Sequence, residues 1–367
     1  MRQRADGSWE WRTPAGFPVR KSLYARSQEE VLEKKNDFLR AVDQGLTFEA
    51  EKLTVGEYLD QWLEATEGSV WYTTYRDYER IVRLHIKPEI GRLKLGKLTK
   101  IHVQRLVNKK TKEGYAPRTV RYVHTTISKA LSQAVDWDLV PKNVASRVKL
   151  PRQTRTRRKT LSAKNVAAFF EAARGTRFEA LYVLAVTAGL RPGELLALKW
   201  EDVDLDRASL SVRRSLSEDE YGPVLRDETK TSRDRRLELV PVAVEALRRH
   251  RKRQNEERLR YAGLWKEEDL VFPSTTGTIM RRNNLTRRSY KPLLREAGLP
   301  DIRLYDLRHT FATLMFENDE QLKLVSEMLG HASIKQTADT YTHVAPTIHR
   351  EAAKRLNDFL ARHIPKS

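Results

Sequence analysis

Four side chains in this sequence have the chemistry to act together on one phosphate: Arg191, Arg308, His331 and Tyr341. Arg308 lies in Leu304-Tyr-Asp-Leu-Arg-His-Thr-Phe-Ala-Thr313 and offers a planar fork of donors to phosphate oxygens. His331, in Leu-Gly-His-Ala-Ser-Ile, can donate to a non-bridging oxygen. Tyr341, ten residues further on in Asp-Thr-Tyr-Thr-His-Val, is a phenol able to form a covalent ester. Arg191 comes from a separate stretch, Thr187-Ala-Gly-Leu-Arg-Pro-Gly-Glu-Leu-Leu-Ala-Leu-Lys-Trp200. There Gly189 and Pro192-Gly193 break an apolar helical run, so a tight turn is expected to point the fork of Arg191 at a ligand. Each residue alone reads as packing or surface; their order and spacing make them a candidate site.

These residues need elements to hold them. Helices are expected at Ser162–Ala173, Phe178–Ala188, Glu194–Leu198, Val242–Arg260, Leu285–Ala297, Tyr305–Phe316, Leu322–Leu329 and Ser333–Tyr341. An amphipathic helix at Ile348–Ala361 follows, and strands are expected at Ser209–Arg213, Pro223–Leu225 and Arg236–Val240. Gly330 suits a left-handed cap that ends one helix just before His331. His309, next to Arg308, is expected to face away, because neighbouring helical positions point about 100° apart. Between two of the strands, Asp-Glu-Thr-Lys-Thr-Ser-Arg-Asp-Arg-Arg forms a polar turn. A hairpin tip there could carry the Lys230 ammonium to a ligand as a proton donor, with Arg233, Arg235 and Arg236 as phosphate binders.

Composition points the same way. The 367 residues are enough for two or three domains, and 69 Lys+Arg against 49 Asp+Glu give a formal charge of +20. Such an excess argues for a polyanionic partner, nucleic acid first; a merely well-solvated basic protein is the second reading and a membrane surface a weaker third. With 40% hydrophobic residues and seven Trp the chain can still bury cores. The absence of cysteine excludes disulfides, thiol nucleophiles and Cys-based zinc sites. His331, His343 and His349 have no recognised ligand spacing, so no metal is expected. No stretch approaches the ~20 apolar residues of a membrane span, and Met-Arg-Gln-Arg-Ala-Asp-Gly lacks a signal-peptide core, which points to the cytoplasm.

The first part of the chain reads as two smaller pieces. In residues 1–48, Ser8-Trp-Glu-Trp-Arg12 alternates as a strand and Phe17 to Tyr24 reads as a second. Ser27-Gln-Glu-Glu30 is a capping box opening a helix through Arg40. Arg12, Arg20, Lys21 and Arg26 lie on or near the strands. Residues 53–147 are helical in pattern. A capping box at Thr54–Glu57 precedes the stripe Val55, Tyr58, Leu59 and Trp62. A second helix, Thr73–His85, should stop before Pro88, and a third from Thr99 should turn Ile101, Val103, Leu106 and Val107 inward. A fourth runs from Pro117 to Trp137, and Arg76, Arg80, Lys109, Lys110, Lys112, Arg118 and Arg121 lie on the polar faces. From Arg147 to Lys159 there are seven basic residues, among them Arg155, Arg157, Arg158 and Lys159, and no acid: a basic linker over 148–160.

The stretches around Arg191, Arg308, His331 and Tyr341 resemble the catalytic half of the tyrosine recombinases, the phage-integrase family. The resemblance implies a multidomain fold: a small α+β N-terminal module at 1–48, an all-α core-binding domain at 53–147, and a mainly-α catalytic domain with a small antiparallel sheet at 161–367. It implies an arm-type DNA-binding role for the N-terminal module and element-borne integration, with excision, as the function. Tyr341 would attack a phosphodiester to give a 3′-phosphotyrosyl link and a free 5′ hydroxyl, needing no cofactor and no metal. Arg191, Arg308 and His331 would hold the developing charge, Lys230 would be the acid and Glu194 a supporting carboxylate. Implied partners are double-stranded attachment sites, three further copies in a tetramer, and an excision factor or host DNA-bending protein, in a cytoplasmic, nucleoid-associated setting. One position departs from the pattern: the family's His-x-x-Arg is Tyr305-Asp-Leu-Arg308 here, and a phenol is a poor proton acceptor at neutral pH. A DNA-binding protein with an impaired site, or a type IB topoisomerase-like strand-relaxing enzyme, are the alternatives that remain.

Overall fold

The computed structural model describes residues 1–15, 22–43, 52–153, 159–227, 234–341 and 357. Contacts divide the chain into two compact units, Met1–Arg155 and Thr156–Ser367. Among the described residues no helix is long and apolar enough to cross a membrane.

The first unit opens with three antiparallel strands rather than two, Arg2–Gln3, Trp9–Arg12 and Ser22–Ala25, in that order across the sheet. The first strand is two residues long, too short to show an alternation in the sequence. Helix Gln28–Asp43 follows, with Ser27 Oγ accepting from the Glu30 N–H at 3.2 Å. Trp11 and Ala25 from the sheet and Val31 and Phe38 from the helix make a small core of their own. Glu10 does not point to water as strict alternation would have it; it is buried, paired with Arg2 at 2.9 Å and with Arg12.

Within the same unit, helices Val55–Thr66, Tyr72–Ile81, Lys100–Lys112 and Pro117–Asp136 close around a second core. The capping box at Thr54 forms, with Thr54 N–H on Glu57 Oε2 at 2.7 Å and the Glu57 N–H on Thr54 Oγ1 at 3.2 Å. Three expectations need correcting. The second helix does not stop before Pro88: a π turn, Val82–Ile86, widens it and a last turn, Lys87–Ile90, carries the chain through the proline. The wider turn accommodates a residue that has no N–H to donate and whose ring would crowd the preceding turn. Ile101 is not inward but 62% exposed, since two residues before Val103 is about 200° around the helix. Lys110 is not a solvated cation; it is buried between Glu89 at 3.0 Å and Glu113 at 2.9 Å. The start of the basic linker is also held down: Gln104 brackets Lys149, and Arg121 Nε donates to the Pro151 carbonyl at 3.1 Å.

In the second unit, helix Glu179–Thr187 is apolar on nearly every side and sits inside the core, touched by Ala163–Ala173, Pro241–Arg260 and Asp306–Glu317. The expected single sheet is in fact two. Val203–Asp204, Ser209–Val212 and Arg235–Glu238 form one antiparallel sheet, and Ser215–Asp219 with Gly222–Arg226 forms a separate hairpin. The strands not expected from the sequence are either two residues long or, as Ser-Leu-Ser-Glu-Asp, carry one apolar side chain. Helix Arg282–Leu285 widens into a π turn, Thr286–Tyr290, before Lys291–Glu296, where Pro292 repeats the device seen at Pro88. Helices Asp306–Glu317, Leu322–Leu329 and Ile334–Tyr341 follow, with Phe311, Phe316, Val325, Leu329 and Tyr341 in a small cluster between them. The helix expected at Ile348–Ala361, Lys230 with Arg233, Arg20 with Lys21, and Arg155, Arg157 and Arg158 lie outside the described residues.

Candidate active site

Two turns converge on one cluster of guanidinium groups. The first follows helix Glu179–Thr187. Gly189 there has φ +62°, and a Cβ would stand 2.4 Å from the Phe311 ring, so only glycine fits. Arg191 then caps the short helix Pro192–Leu196, with Pro192 in the first turn where its missing N–H is not needed. Glu194 is buried in that helix and accepts from the Arg191 backbone N–H at 2.8 Å and its guanidinium at 2.6 Å. The same carboxylate takes both terminal nitrogens of Arg235, at 2.7 and 3.2 Å, while Arg235 Nε donates to the Met328 carbonyl at 3.0 Å. Burial opposes ionisation of Glu194, but Arg235 and then Arg191 outweigh it and hold the group below the usual carboxylate range.

The second turn closes helix Leu322–Leu329. Gly330 adopts φ 62°, ψ 47°, and a Cβ there would lie 2.9 Å from Arg235. Its carbonyl accepts from Arg191 at 3.0 Å. Arg308, in the first turn of Asp306–Glu317, is 1% exposed and ties the two turns together. Its fork donates to the Gly189 carbonyl at 2.8 Å and to the Leu329 carbonyl. Burial, then the charge of Arg191, pushes its pKa down to about 10, so it stays a cation at neutral pH. His331 follows, its Nδ1 2.6 Å from the hydroxyl of the buried Thr337. Burial and then the charges of Arg308, Arg191 and Arg235 bring the imidazole down to about 4, so it is neutral at pH 7. With Nδ1 engaged by Thr337, Nε2 is left for a ligand. Three guanidinium groups against one carboxylate leave an excess of two positive charges in a largely buried setting, a standing field for an anion.

Arg191, Arg308, His331 and Glu194 are thus brought together as their spacing indicated. Arg235, expected as a phosphate binder, is held in the same cluster by Glu194 and the Met328 carbonyl. Tyr341 ends helix Ile334–Tyr341 and is 5% exposed, packed against Phe316, and its hydroxyl is 2.6 Å from His309 Nδ1. His309 therefore does not face away from the site. It is buried and holds the tyrosine, while the ring of Tyr305, 37% exposed at the helix cap, stands nearly edge-on to it. The 100° offset from Arg308 was sound; what lay along the new direction was Tyr341. Thr337 and His309 were missed: Thr337, one turn before Tyr341, is marked by the phase of its own helix, whereas His309 meets Tyr341 across two helices. Of the other candidate DNA contacts, Arg12 is paired with Glu10, Arg121 is on Pro151, and Arg118 and Lys159 are exposed.

Comparison with known proteins bears on what this cluster serves. Residues 159–347 match the phage integrase family, and residues 54–111 match the phage integrase N-terminal SAM-like domain. A tyrosine recombinase XerC-like protein of Caldanaerobacter subterraneus is 32% identical over 363 residues, covering 94% of this chain and 93% of the relative. The chain belongs to the phage integrase family. It is a tyrosine recombinase, and its fold has solved counterparts within the family at low identity. The Tn1549 transposon integrase in complex with a circular intermediate DNA superposes with a TM-score of 0.71 at 18% identity, over 83% of this chain and 99% of that one. A lambda integrase, solved as a tetramer bound to a Holliday junction, gives 0.60 at 18% identity over 90% of this chain and 94% of that one.

Proposed function

We propose that this recombinase cleaves and rejoins DNA through a 3′-phosphotyrosyl link at Tyr341, integrating and excising the mobile element that encodes it. The observation that carries the reading is the Glu194-tied cluster of Arg191, Arg235 and Arg308 around the Gly189 and Gly330 turns, with a neutral His331 beside it. A scissile phosphate seated there takes donors from Arg191, Arg308 and His331 Nε2. Two of the five N–H groups of Arg308 are spent on the Gly189 and Leu329 carbonyls, which fixes the fork before the substrate arrives. The charge that grows on the phosphorane then meets donors that need no rearrangement. Tyr341 attacks, the 5′ oxygen leaves with a proton from Lys230, and the bond energy is kept in the ester. A 5′ hydroxyl from a partner duplex reverses the step.

The tyrosine must be uncovered for this to happen, because its hydroxyl is buried on His309. DNA binding is assigned the task of admitting the phosphate to the Tyr341 hydroxyl while that hydroxyl stays on His309. Residues 1–48 are assigned to arm-type sites and 53–147 to the core site, with 148–160 linking them to a catalytic domain at 161–367. The separate cores of the two N-terminal pieces are consistent with this division. Four copies on two duplexes follow by analogy with the lambda integrase tetramer on its junction.

The deciding experiment is a nicked suicide duplex built on the attachment core of the encoding element. Wild type is expected to form a denaturant-resistant protein–DNA adduct, and Tyr341→Phe to bind the duplex without forming one. An adduct from the Phe variant at the wild-type level would end the assignment.

A further inference from the structure

Beside the guanidinium cluster three rings stand in contact. Tyr305 and His309 lie one turn apart on helix Asp306–Glu317, with ring centroids 5.4 Å apart. His309 and Tyr341 follow at 5.7 Å, and between them the Nδ1 to hydroxyl separation is 2.6 Å in a buried setting. A phenol attacking phosphorus must lose its proton. His331 is poorly placed to take it, with Nδ1 engaged by Thr337 and burial, then three guanidinium groups, bringing its pKa to about 4. Tyr305, itself a phenol, is a poor acceptor.

We propose, resting on the reading of Tyr341 as nucleophile, that His309 is the general base of strand cleavage and the general acid of rejoining. As the Tyr341 oxygen forms its bond to phosphorus, the phenolic proton passes to His309 Nδ1. The bond from phosphorus to the 5′ oxygen breaks, and that oxygen takes its proton from Lys230. In rejoining, the incoming 5′ hydroxyl gives its proton back to Lys230, and the departing phenoxide recovers its own from His309. Nδ1 can accept only when the ring carries its proton on Nε2. His309 follows Arg308 directly, so the two backbone positions are one residue step, about 3.8 Å, apart. The group that takes the phosphate and the group that holds the hydroxyl are therefore carried by consecutive positions of one helix. The departure at Tyr305 is then no loss of function, because the acceptor has moved one turn along the same face.

The test uses the full chain and the suicide duplex, in single-turnover cleavage. His309→Asn keeps an oxygen able to accept the hydrogen bond but not the proton. It is expected to slow adduct formation about 10²–10⁴-fold, the usual worth of a general base, while duplex binding and melting temperature stay near wild type. Sulfur in place of the bridging 5′ oxygen makes a leaving group that needs no proton. It should restore cleavage to Lys230→Ala and leave His309→Asn slow. In His309→Ala, added imidazole should recover part of the rate; if the alanine variant does not fold, the asparagine variant carries the test alone. Cleavage by His309→Asn at or above the wild-type rate would mean that His309 only stores the tyrosine, and rescue of it by sulfur would put His309 on the leaving-group side; either overturns the proposal. Failure of wild type itself to form an adduct, or success of Tyr341→Phe, would instead sink the nucleophile reading.

Discussion

Arginine and lysine do different physical work in the helical part of the first unit and at the candidate site of the second. On the helices, Arg80 pairs with Asp77 at 3.0 Å and Arg83 with Glu79 at 2.7 Å, each mostly in water. Such pairs are worth about 0–1 kcal/mol and are screened by salt. At the site, Arg308 and Arg235 are withdrawn from water and fixed by carbonyls and by Glu194. A charge held that way is costly to bury and costly to leave unpaired. The first kind of cation can serve as an adjustable contact to phosphate. The second is a fixed field, set before substrate arrives.

Removing one acid from each region separates the two kinds most sharply. Glu194→Ala leaves Arg191 and Arg235 unneutralised and is expected to destabilise the protein by about 3–5 kcal/mol in chemical denaturation. Glu79→Ala, which frees only an exposed Arg83, should stay within about 0.5 kcal/mol. Equal effects would erase the distinction.

Next come substitutions of the cations themselves. Arg308→Lys cannot bridge two carbonyls and still offer donors to a phosphate, so cleavage should fall about 10²–10³-fold with little change in duplex affinity. Arg118→Ala should do the reverse. It should weaken binding, lower the slope of log affinity against log salt by about 0.9 if it makes one phosphate contact, and leave the cleavage rate of bound duplex alone. An Arg118 variant with an unchanged slope would show that this exposed cation is only solvated.

The two regions were also unequally legible in the sequence. Turns that demand glycine and a carboxylate three residues after Arg191 are local signals that produced the local structure expected of them, whereas Pro192, read as a breaker before a helix at Glu194–Leu198, instead opens the helix at Pro192–Leu196. What the one-dimensional pattern could not carry was partnership across the fold. The pairing of Arg235 with Glu194 spans 41 positions and that of His309 with Tyr341 spans 32, so neither follows from the phase of one helix. The same blindness put Lys110 in water, because Glu89 lies on another helix. Helix ends failed where a local rule had two solutions: at Pro88 the chain opened a π turn instead of stopping.

The smallest effect expected is on acid stability, and here the site resembles its own core more than the helical surface. His331 and the core residue His250, whose Nε2 donates to the Val271 carbonyl at 2.6 Å, are both brought from 6.5 to about 4, chiefly by burial. The folded protein therefore binds fewer protons than the unfolded chain between these values. Their contribution is complete above about pH 6.5 and shrinks as pH falls toward 4. Between pH 6.5 and 5, above the range in which carboxylates such as Glu194 take up protons, these histidines should dominate the decline in melting temperature. His250→Gln keeps a donor for Val271 but cannot titrate, so its melting temperature should fall less steeply across that window than that of wild type. His85, on the helical surface, is also lowered by burial, so the variant should flatten the slope without abolishing it. Parallel slopes for wild type and variant would mean that the buried imidazole is not what the acid limb reports.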